Sequence, residues 1–133
     1  MKITRAADFA IRVLTYLASN NNEITSEELA NRLDIPLNHL AKIVQTLARK
    51  GYLITKKGKN GGIKLGVDPK KINLNDVYET MEGPILLSEC IMHKANCRFS
   101  GGCKVRKCLN KIRIEMQQIL MGTSVFDLVP ASW

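Results

Sequence analysis

Two short helical segments are followed at once by a glycine-rich hairpin pattern, and this order leaves few possible folds. Thr25 and Glu28 have the spacing of a capping box, which predicts that a short helix begins there. Pro36 then predicts a turn, because proline disfavours helix immediately before itself. A third helix is predicted over residues 37–50, where a glycine follows it. Two helices joined by such a turn are typical of a helix-turn-helix.

The third helix has two distinct faces. Its apolar residues lie at helical spacing and are predicted to face the core: Leu40, Ile43, Val44 and Leu47. The opposite face is polar and basic, which suits hydrogen bonds to base edges and nearby phosphates. The candidate DNA-binding residues on that face are Asn38, His39, Lys42, Gln45, Thr46 and Arg49. For His39, packing against a neighbour or contact with the DNA backbone alone is the alternative to base contact.

A β-hairpin is predicted directly after the third helix. Residues 52–55 and 63–65 form strand patterns, and the tip between them is rich in lysine and glycine. A hairpin in this position is the wing of a winged-helix domain. The lysines supply charge for phosphates or a minor groove, and the glycines allow close approach of the backbone. The candidate DNA-binding residues of the wing are Lys56, Lys57, Lys59, Asn60, Gly61 and Gly62.

The positive charge of the chain is concentrated in the same elements. The 133 residues have a net charge of +8, and the interval from Ile35 to Val67 has seven lysines and arginines but no acidic residue. A block of one sign within a folded pattern indicates a surface that binds phosphates, with a solubilising face as the alternative. An enzyme is not expected, because the two histidines, His39 and His93, form no evident catalytic dyad.

The C-terminal part is predicted to hold a long amphipathic helix over residues 104–121. Its apolar residues recur at steps of three and four: Val105, Leu109, Ile112, Met116 and Ile119. A stripe separated from the main domain by a loop usually needs a partner, and a second copy, giving a homodimer, is the simplest one. The expected fold class is mostly α with a small β-hairpin. It divides into a winged helix-turn-helix domain (1–83), a cysteine-bearing loop (84–103), and a dimerisation helix with a tail (104–133).

Four cysteines are the residues of this sequence that most suggest a metal or redox site. No segment has the apolar length of a membrane span, and no signal-peptide pattern is found, so a cytosolic protein is expected, where disulfides are uncommon. The four cysteines are Cys90, Cys97, Cys103 and Cys108. Their spacing contains no Cys-x-x-Cys pair of the kind that binds zinc in small structural sites. Thiolates on a loop suit an iron–sulfur cluster, with zinc, redox-active thiols and inert cysteines as alternatives. Cys108 lies beside the apolar stripe and is interpreted as a small hydrophobic residue in a helix interface.

Several motifs follow one another in a specific order and spacing. They are residues 1–4 with Asp8–Arg12, Asn38–Val44 in the third helix, Gly51-Tyr52 with Gly58–Gly66 around the wing, and Ser124–Val129 after the long helix. Together they resemble the IscR/NsrR family of bacterial winged-helix regulators over nearly the whole chain, and its NsrR branch in particular. The resemblance implies a homodimeric repressor that binds a palindromic operator in double-stranded DNA and senses nitric oxide.

The resemblance also implies three ligands of an iron–sulfur cluster. Matched to the family, the cluster cysteines fall on Cys90, Cys97 and Cys103, and Cys108 is left over. The implied cluster is 4Fe–4S, with 2Fe–2S as the alternative. Sensing of redox or iron–sulfur status fits the same resemblance. A regulator without a cluster, responding to thiol oxidation or a protein partner or stabilised by zinc, remains the competing interpretation.

The fourth ligand distinguishes two branches of the family. The IscR branch has a histidine three residues after the third cysteine, where this chain has Arg106, which cannot ligate iron. In the NsrR branch an aspartate of the first helix, donated by the other subunit, completes the cluster, and Asp8 occupies that position. From the residues alone, an ion pair with Arg5 or Arg12 at helical spacing is the alternative for Asp8.

Overall fold

The computed structural model describes residues 2–59, 61–92, 97–99 and 101–133. In these ranges the chain forms α1 (Arg5–Ser19), α2 (Ser26–Leu33), α3 (Leu37–Arg49), β1 (Leu53–Lys56), β2 (Gly62–Leu65), α4 (Leu74–Glu82), α5 (Glu89–Met92) and α6 (Lys104–Met121), with short 3-10 helices at Pro69–Lys71 and Phe126–Leu128. The predicted fold class, mostly helical with one small antiparallel hairpin, is confirmed. No helix within the described ranges is long and apolar enough to cross a membrane.

The hydrophobic core lies between α1, α2, α3 and α4. Thr4 caps α1, since its side-chain oxygen accepts a hydrogen bond from the Ala7 N–H at 3.3 Å. The helices contribute fully buried side chains to one continuous core: Leu14, Leu29, Leu40, Leu47 and Val77. Each such side chain stabilises the fold by roughly 1.5–3 kcal/mol relative to exposure. The core therefore holds α3 in place through its inner face.

The helix-turn-helix forms for the reasons that the sequence predicts. Thr25 Oγ1 accepts a hydrogen bond from the Glu28 N–H at 3.2 Å, and the Glu28 carboxylate accepts one from the Thr25 N–H at 3.3 Å. These two bonds complete the capping box. After α2, Asp34 adopts a left-handed backbone with φ 52°, and Ile35 is buried beneath the turn. The residues buried on α3 are the four predicted for its inner face, so its polar face is turned outward.

The wing is held against the helix-turn-helix by a contact that the sequence did not predict. The hairpin pairs Leu53 with Leu65 and Lys56 with Gly62. Ile24, just before α2, forms a bridge with Ile63 through N–H···O contacts of 3.2 and 2.7 Å. This bridge adds a third extended segment beside β2. The wing is thereby fixed next to the start of α2.

The long C-terminal helix is present, and none of the residues of α6 is buried. Leu120 attaches it to the rest of the chain by packing against a second small cluster of Ala7, Tyr78 and Ile85. The segment after α6 returns to the main core, where Val125 is fully buried. The short helix α5 lies within the segment predicted as a loop. The division at residues 83 and 103 remains a prediction.

Candidate nucleic-acid interface and metal centre

A groove between α3 and the hairpin brings together half of the residues predicted to bind DNA. This wing groove is lined from α3 and from the hairpin by Lys42, Gln45, Lys56, Lys57, Gly61 and Gly62. The start of α2 closes one end with Ser26 and Glu27. Three lysines on one concave surface produce a positive potential, which favours a polyanion such as a duplex.

The outer face of α3 is accessible along its length. Asn38, His39, Lys42, Gln45 and Arg49 are exposed. Asn38 and Arg49 are not among the residues lining the wing groove, so a duplex would have to extend beyond it to reach them. His39 lines a second groove on the opposite side of α3. These five residues thus share one exposed face but not one groove.

Thr46 is the least accessible of the predicted DNA-binding residues on α3. It is half-buried, and its hydroxyl donates a hydrogen bond to the Lys42 carbonyl oxygen at 2.9 Å. A hydroxyl engaged with its own helix in this way has less to offer a partner. Thr46 lies beside His39 on the side of α3 that faces α1.

An acidic residue from outside the basic interval reaches the wing. Glu23 Oε1 lies 3.3 Å from Lys56 Nζ and 3.5 Å from Lys64 Nζ. The hydrogen bond and charge of Lys56, followed by those of Lys64, lower the pKa of Glu23. The wing is therefore less positive than its own sequence suggests. The count of charges between Ile35 and Val67 could not reveal this, because Glu23 precedes α2.

The wing glycines have structural roles besides any contact with DNA. A Cβ atom at Gly61 would overlap the Lys56 carbonyl oxygen, so the turn itself requires glycine there. A Cβ atom at Gly62 would lie 3.0 Å from the Glu23 Cβ, where the hairpin passes the start of α2. Lys57 and Lys59 are exposed near the tip. Asn60, also predicted to bind DNA, lies outside the described residues.

The three predicted cluster cysteines lie along the connection that leads into α6. Cys90 is on α5, Cys103 immediately precedes α6, and Cys97 lies between them. All three are half-buried free thiols, whereas Cys108 is exposed on α6. Because α5 contacts α6, Cys90 and Cys103 are on neighbouring elements. Within the described residues, however, no three His, Cys, Asp or Glu side chains form a group that could hold a metal.

Two of these sulfurs have hydrogen-bond partners. Cys103 caps α6, and its Sγ accepts a hydrogen bond from the Arg106 N–H at 3.5 Å. The Sγ of Cys90 lies 3.0 Å from the Ser88 hydroxyl oxygen. In the contact between Ser88 and Cys90 either group can be the donor. Hydrogen bonds of this kind orient the ligands of metal sites in proteins. Arg106 thus contacts the Cys103 sulfur through its backbone N–H, although its side chain cannot ligate iron.

Asp8 forms the ion pair that the residues alone suggested. Its Oδ2 lies 3.0 Å from Arg12 Nε, one helical turn further along α1. The two side chains are 43% and 53% exposed, so the pair is well solvated. An exposed pair at this spacing is worth only about 0.3–0.5 kcal/mol. Asp8 therefore remains available to another partner at small cost.

The sequence over residues 3–131 matches the family model Rrf2, described as an iron-dependent transcriptional regulator. The chain belongs to the Rrf2 family. The HTH-type transcriptional regulator NsrR of Bacillus licheniformis is 35% identical to this Rrf2-family chain over 132 residues, which cover 97% of this chain and 92% of the relative.

Two solved structures share the fold of this Rrf2-family chain. CymR, the global cysteine regulator of B. subtilis, has a TM-score of 0.82 at 22% identity, covering 97% of this chain and 96% of CymR. The IscR of T. potens has a TM-score of 0.76 at 15% identity, covering 97% of this chain and 86% of that protein. At these identities the likeness shows the fold.

This Rrf2-family protein is accordingly a DNA-binding transcriptional regulator and not an enzyme, because its relatives are transcriptional regulators. The resemblance to the IscR/NsrR family, which rested on motifs in the first helix, the third helix, the wing and the closing segment, is confirmed. The individual residues assigned to DNA and to the cluster remain predictions.

Proposed function

We propose that this regulator is a cytosolic repressor whose binding to a palindromic operator is controlled by an iron–sulfur cluster that senses nitric oxide. The main support for this proposal is the position of three cysteine thiols. Cys90, Cys97 and Cys103 lie on the connection between the winged-helix part and α6. Ligands at this place join the DNA-binding part to the helix proposed to form the dimer. Their engagement or release would bias the angle between the two α3 helices, and with it the DNA-binding population.

In the proposed complex α3 lies in the major groove. Asn38 and Gln45 suit adenine, and Lys42 suits guanine, as base-edge contacts. His39, also exposed, is assigned to a base edge or an adjacent phosphate in this proposal. The wing lysines are assigned mainly to phosphates, where they set affinity more than sequence preference. Support comes from the wing groove, which gathers Lys42 and Gln45 with two of those lysines.

The exposed face of α6 supports a homodimer. Val105, Ile112 and Ile119 recur at seven-residue steps and are 66%, 43% and 69% exposed. Leu109 and Met116, from the same predicted stripe, are half-buried by the chain itself. A seven-residue apolar row left open on a long helix suits the seam between two helices. Such a dimer would present its two α3 helices to half-sites about 34–36 Å apart.

The donor chemistry fits an iron–sulfur cluster better than a hard cation. Cysteine thiolates are soft ligands. The hydrogen bond from the Arg106 N–H to Cys103 Sγ, together with the Ser88 hydroxyl beside Cys90 Sγ, suits cluster ligation. Cys90, Cys97 and Cys103 would hold the cluster, with Asp8 of the partner subunit as fourth ligand. A 4Fe–4S cluster is preferred to 2Fe–2S. When bound, it supplies iron as the point of attack for nitric oxide.

A regulator without a cluster is the second candidate. It is favoured by the lack of any three-donor metal group within the described residues and by the four free thiols. Such a protein would respond to thiol oxidation or to a protein partner, or would be stabilised by zinc.

Anaerobic purification followed by iron and sulfide counts distinguishes the two candidates. The cluster proposal expects a brown protein with about four irons per chain. Cys97→Ser should lose this iron, whereas Cys108→Ala should keep it, because Cys108 lies outside the proposed ligand set. DNA affinity is then measured for intact, nitric-oxide-treated and cluster-free protein. A colourless protein carrying zinc or no metal refutes the cluster, and equal affinities in the three states refute its role as a switch.

A further inference from the structure

A second groove flanks α3 on the side opposite the wing. It is lined by Arg5 and Phe9 of α1 together with His39, Lys42 and Thr46 of α3. Ile43 and Met81 contribute apolar surface to its floor. We call it the α1 groove. Lys42 lines both this groove and the wing groove, so it stands on the ridge between them.

The position of this ridge determines which part of the protein faces each phosphate backbone of a bound duplex. The major groove is about 12 Å wide and is bordered by two phosphate backbones. A helix that inserts the ridge at Lys42 therefore meets one backbone on each side. In that placement the wing, with Lys56 and Lys57, would lie beside one backbone. The α1 groove would then face the other backbone.

The charges of the α1 groove suit that second backbone. Arg5, His39 and Lys42 line it, and no carboxylate is among its described lining residues. Asp8, one turn further along α1, is paired with Arg12 instead. Arg5 is exposed in the first turn of α1, and it belongs to none of the ion pairs within the described ranges. Its guanidinium can donate two parallel hydrogen bonds to one phosphate.

We propose that Arg5 binds a backbone phosphate and that the α1 groove is a second phosphate clamp, opposite the wing. The inference rests on the proposed placement of α3 in the major groove. With contacts on both sides, the duplex cannot roll about the axis of α3. Arg5 is thus a positioning residue: it fixes the register of the base-reading side chains without reading sequence itself.

The salt dependence of DNA binding tests this role. Fluorescence anisotropy with a labelled random-sequence 30-base-pair duplex is measured from 50 to 300 mM KCl for the parent protein and for Arg5→Ala. A dimer that loses two phosphate contacts should show a plot of log K against log[KCl] flatter by about 1.8. Arg5→Lys should keep the slope, because it keeps the charge. Arg32→Ala is the matched control, since Arg32 is exposed on α2 and is not among the residues lining either groove.

The outcomes separate this inference from the proposed function. If the parent protein binds the duplex and Arg5→Ala has the parent's slope, the phosphate clamp is refuted while DNA binding by α3 and the wing stands. A weaker affinity with an unchanged slope also refutes it, because a lost phosphate contact must release fewer counterions. If the parent protein binds no duplex even at 50 mM KCl, the proposed DNA-binding mode and the clamp fall together.

Discussion

Removing the charge of Glu23 should strengthen DNA binding, because this carboxylate occupies two lysines of the wing. It lies 3.3 Å from Lys56 Nζ and 3.5 Å from Lys64 Nζ. The hydrogen bond and charge of Lys56 lower the pKa of Glu23, so the carboxylate stays ionised at neutral pH. Glu23→Gln removes the charge but keeps the shape of the side chain, including the close packing of its Cβ beside Gly62.

The expected gain in DNA affinity depends on which lysine is released from Glu23. Of the two, Lys56 lines the wing groove, so one cation per subunit becomes available to a phosphate. Two new contacts in a dimer should steepen the slope of log K against log[salt] by about 1.8. Between 200 and 50 mM salt, the affinity of the variant relative to the parent should then rise by roughly tenfold.

Anisotropy titrations of a random-sequence duplex over this salt range measure the effect. Glu27→Gln is the control, because Glu27 also lines the wing groove but belongs to none of the ion pairs within the described part of the chain. It removes one carboxylate charge beside the wing without freeing a lysine, so its slope should match the parent's. If Glu23→Gln keeps the parent's slope or binds more weakly at every salt concentration, Glu23 positions Lys56 for DNA and the reasoning is wrong.

Four further substitutions test other parts of the structure. Leu47→Ala should lower the free energy of unfolding by about 2–5 kcal/mol in urea denaturation, since Leu47 is fully buried on the inner face of α3. In analytical ultracentrifugation the parent protein should have the mass of the proposed dimer and Ile112→Glu that of a monomer, and an unchanged mass would refute the α6 seam. Gly61→Ala should weaken duplex binding and also lower the melting temperature, because a Cβ there overlaps the Lys56 carbonyl oxygen in a turn that leads directly to the buried Ile63. The Ser124 N–H and hydroxyl lower the pKa of Asp127, so its stabilisation is present above the unfolded pKa of about 3.9 and is lost as pH falls through the folded value. The stability difference between the parent and Asp127→Asn should thus be constant above about pH 5 and shrink below about pH 4.

The parts of the fold that the sequence predicted are those that neighbouring residues determine. The capping box joins Thr25 to Glu28, three residues away, and both of its hydrogen bonds are formed. The inner face of α3 follows from helical spacing, and the hairpin follows from strand patterns around a glycine-rich turn. In each case the interacting groups lie within a few positions of one another, so a local pattern carries the information.

What the sequence did not predict depends on residues that are far apart in the chain. The bridge between Ile24 and Ile63 and the pairing of Glu23 with Lys56 both join the start of α2 to the wing. Val125 illustrates the same limit, since a residue after the long helix completes the core formed by α1 to α4. No periodicity marks these contacts, because they depend on how the elements are packed.

The candidate metal centre was the least predictable part for a related reason. The cysteine spacing left several kinds of site open, and the resemblance implied the ligand set. The three thiols converge only if α5, α6 and the connection between them adopt one particular arrangement. The resemblance supplies Asp8 as a ligand from a second subunit, and no pattern within one chain contains that contact. By contrast, the wing groove needs only α3 and the hairpin that follows it directly.

The packing also indicates how events near the cysteines could reach the DNA-binding surface. α5 contacts α6, and α6 is attached to α4 through Leu120, which packs on Tyr78 and Ala7. Met81 of α4 packs against both this cluster and the main core, and it also lines the α1 groove beside α3. Since close-packed side chains transmit displacement instead of absorbing it, a rotation of α6 would move the floor of that groove. The proposed cluster ligands therefore need no contact with the duplex: a change in how two copies of α6 meet would alter the position of Arg5 and His39 relative to the phosphates.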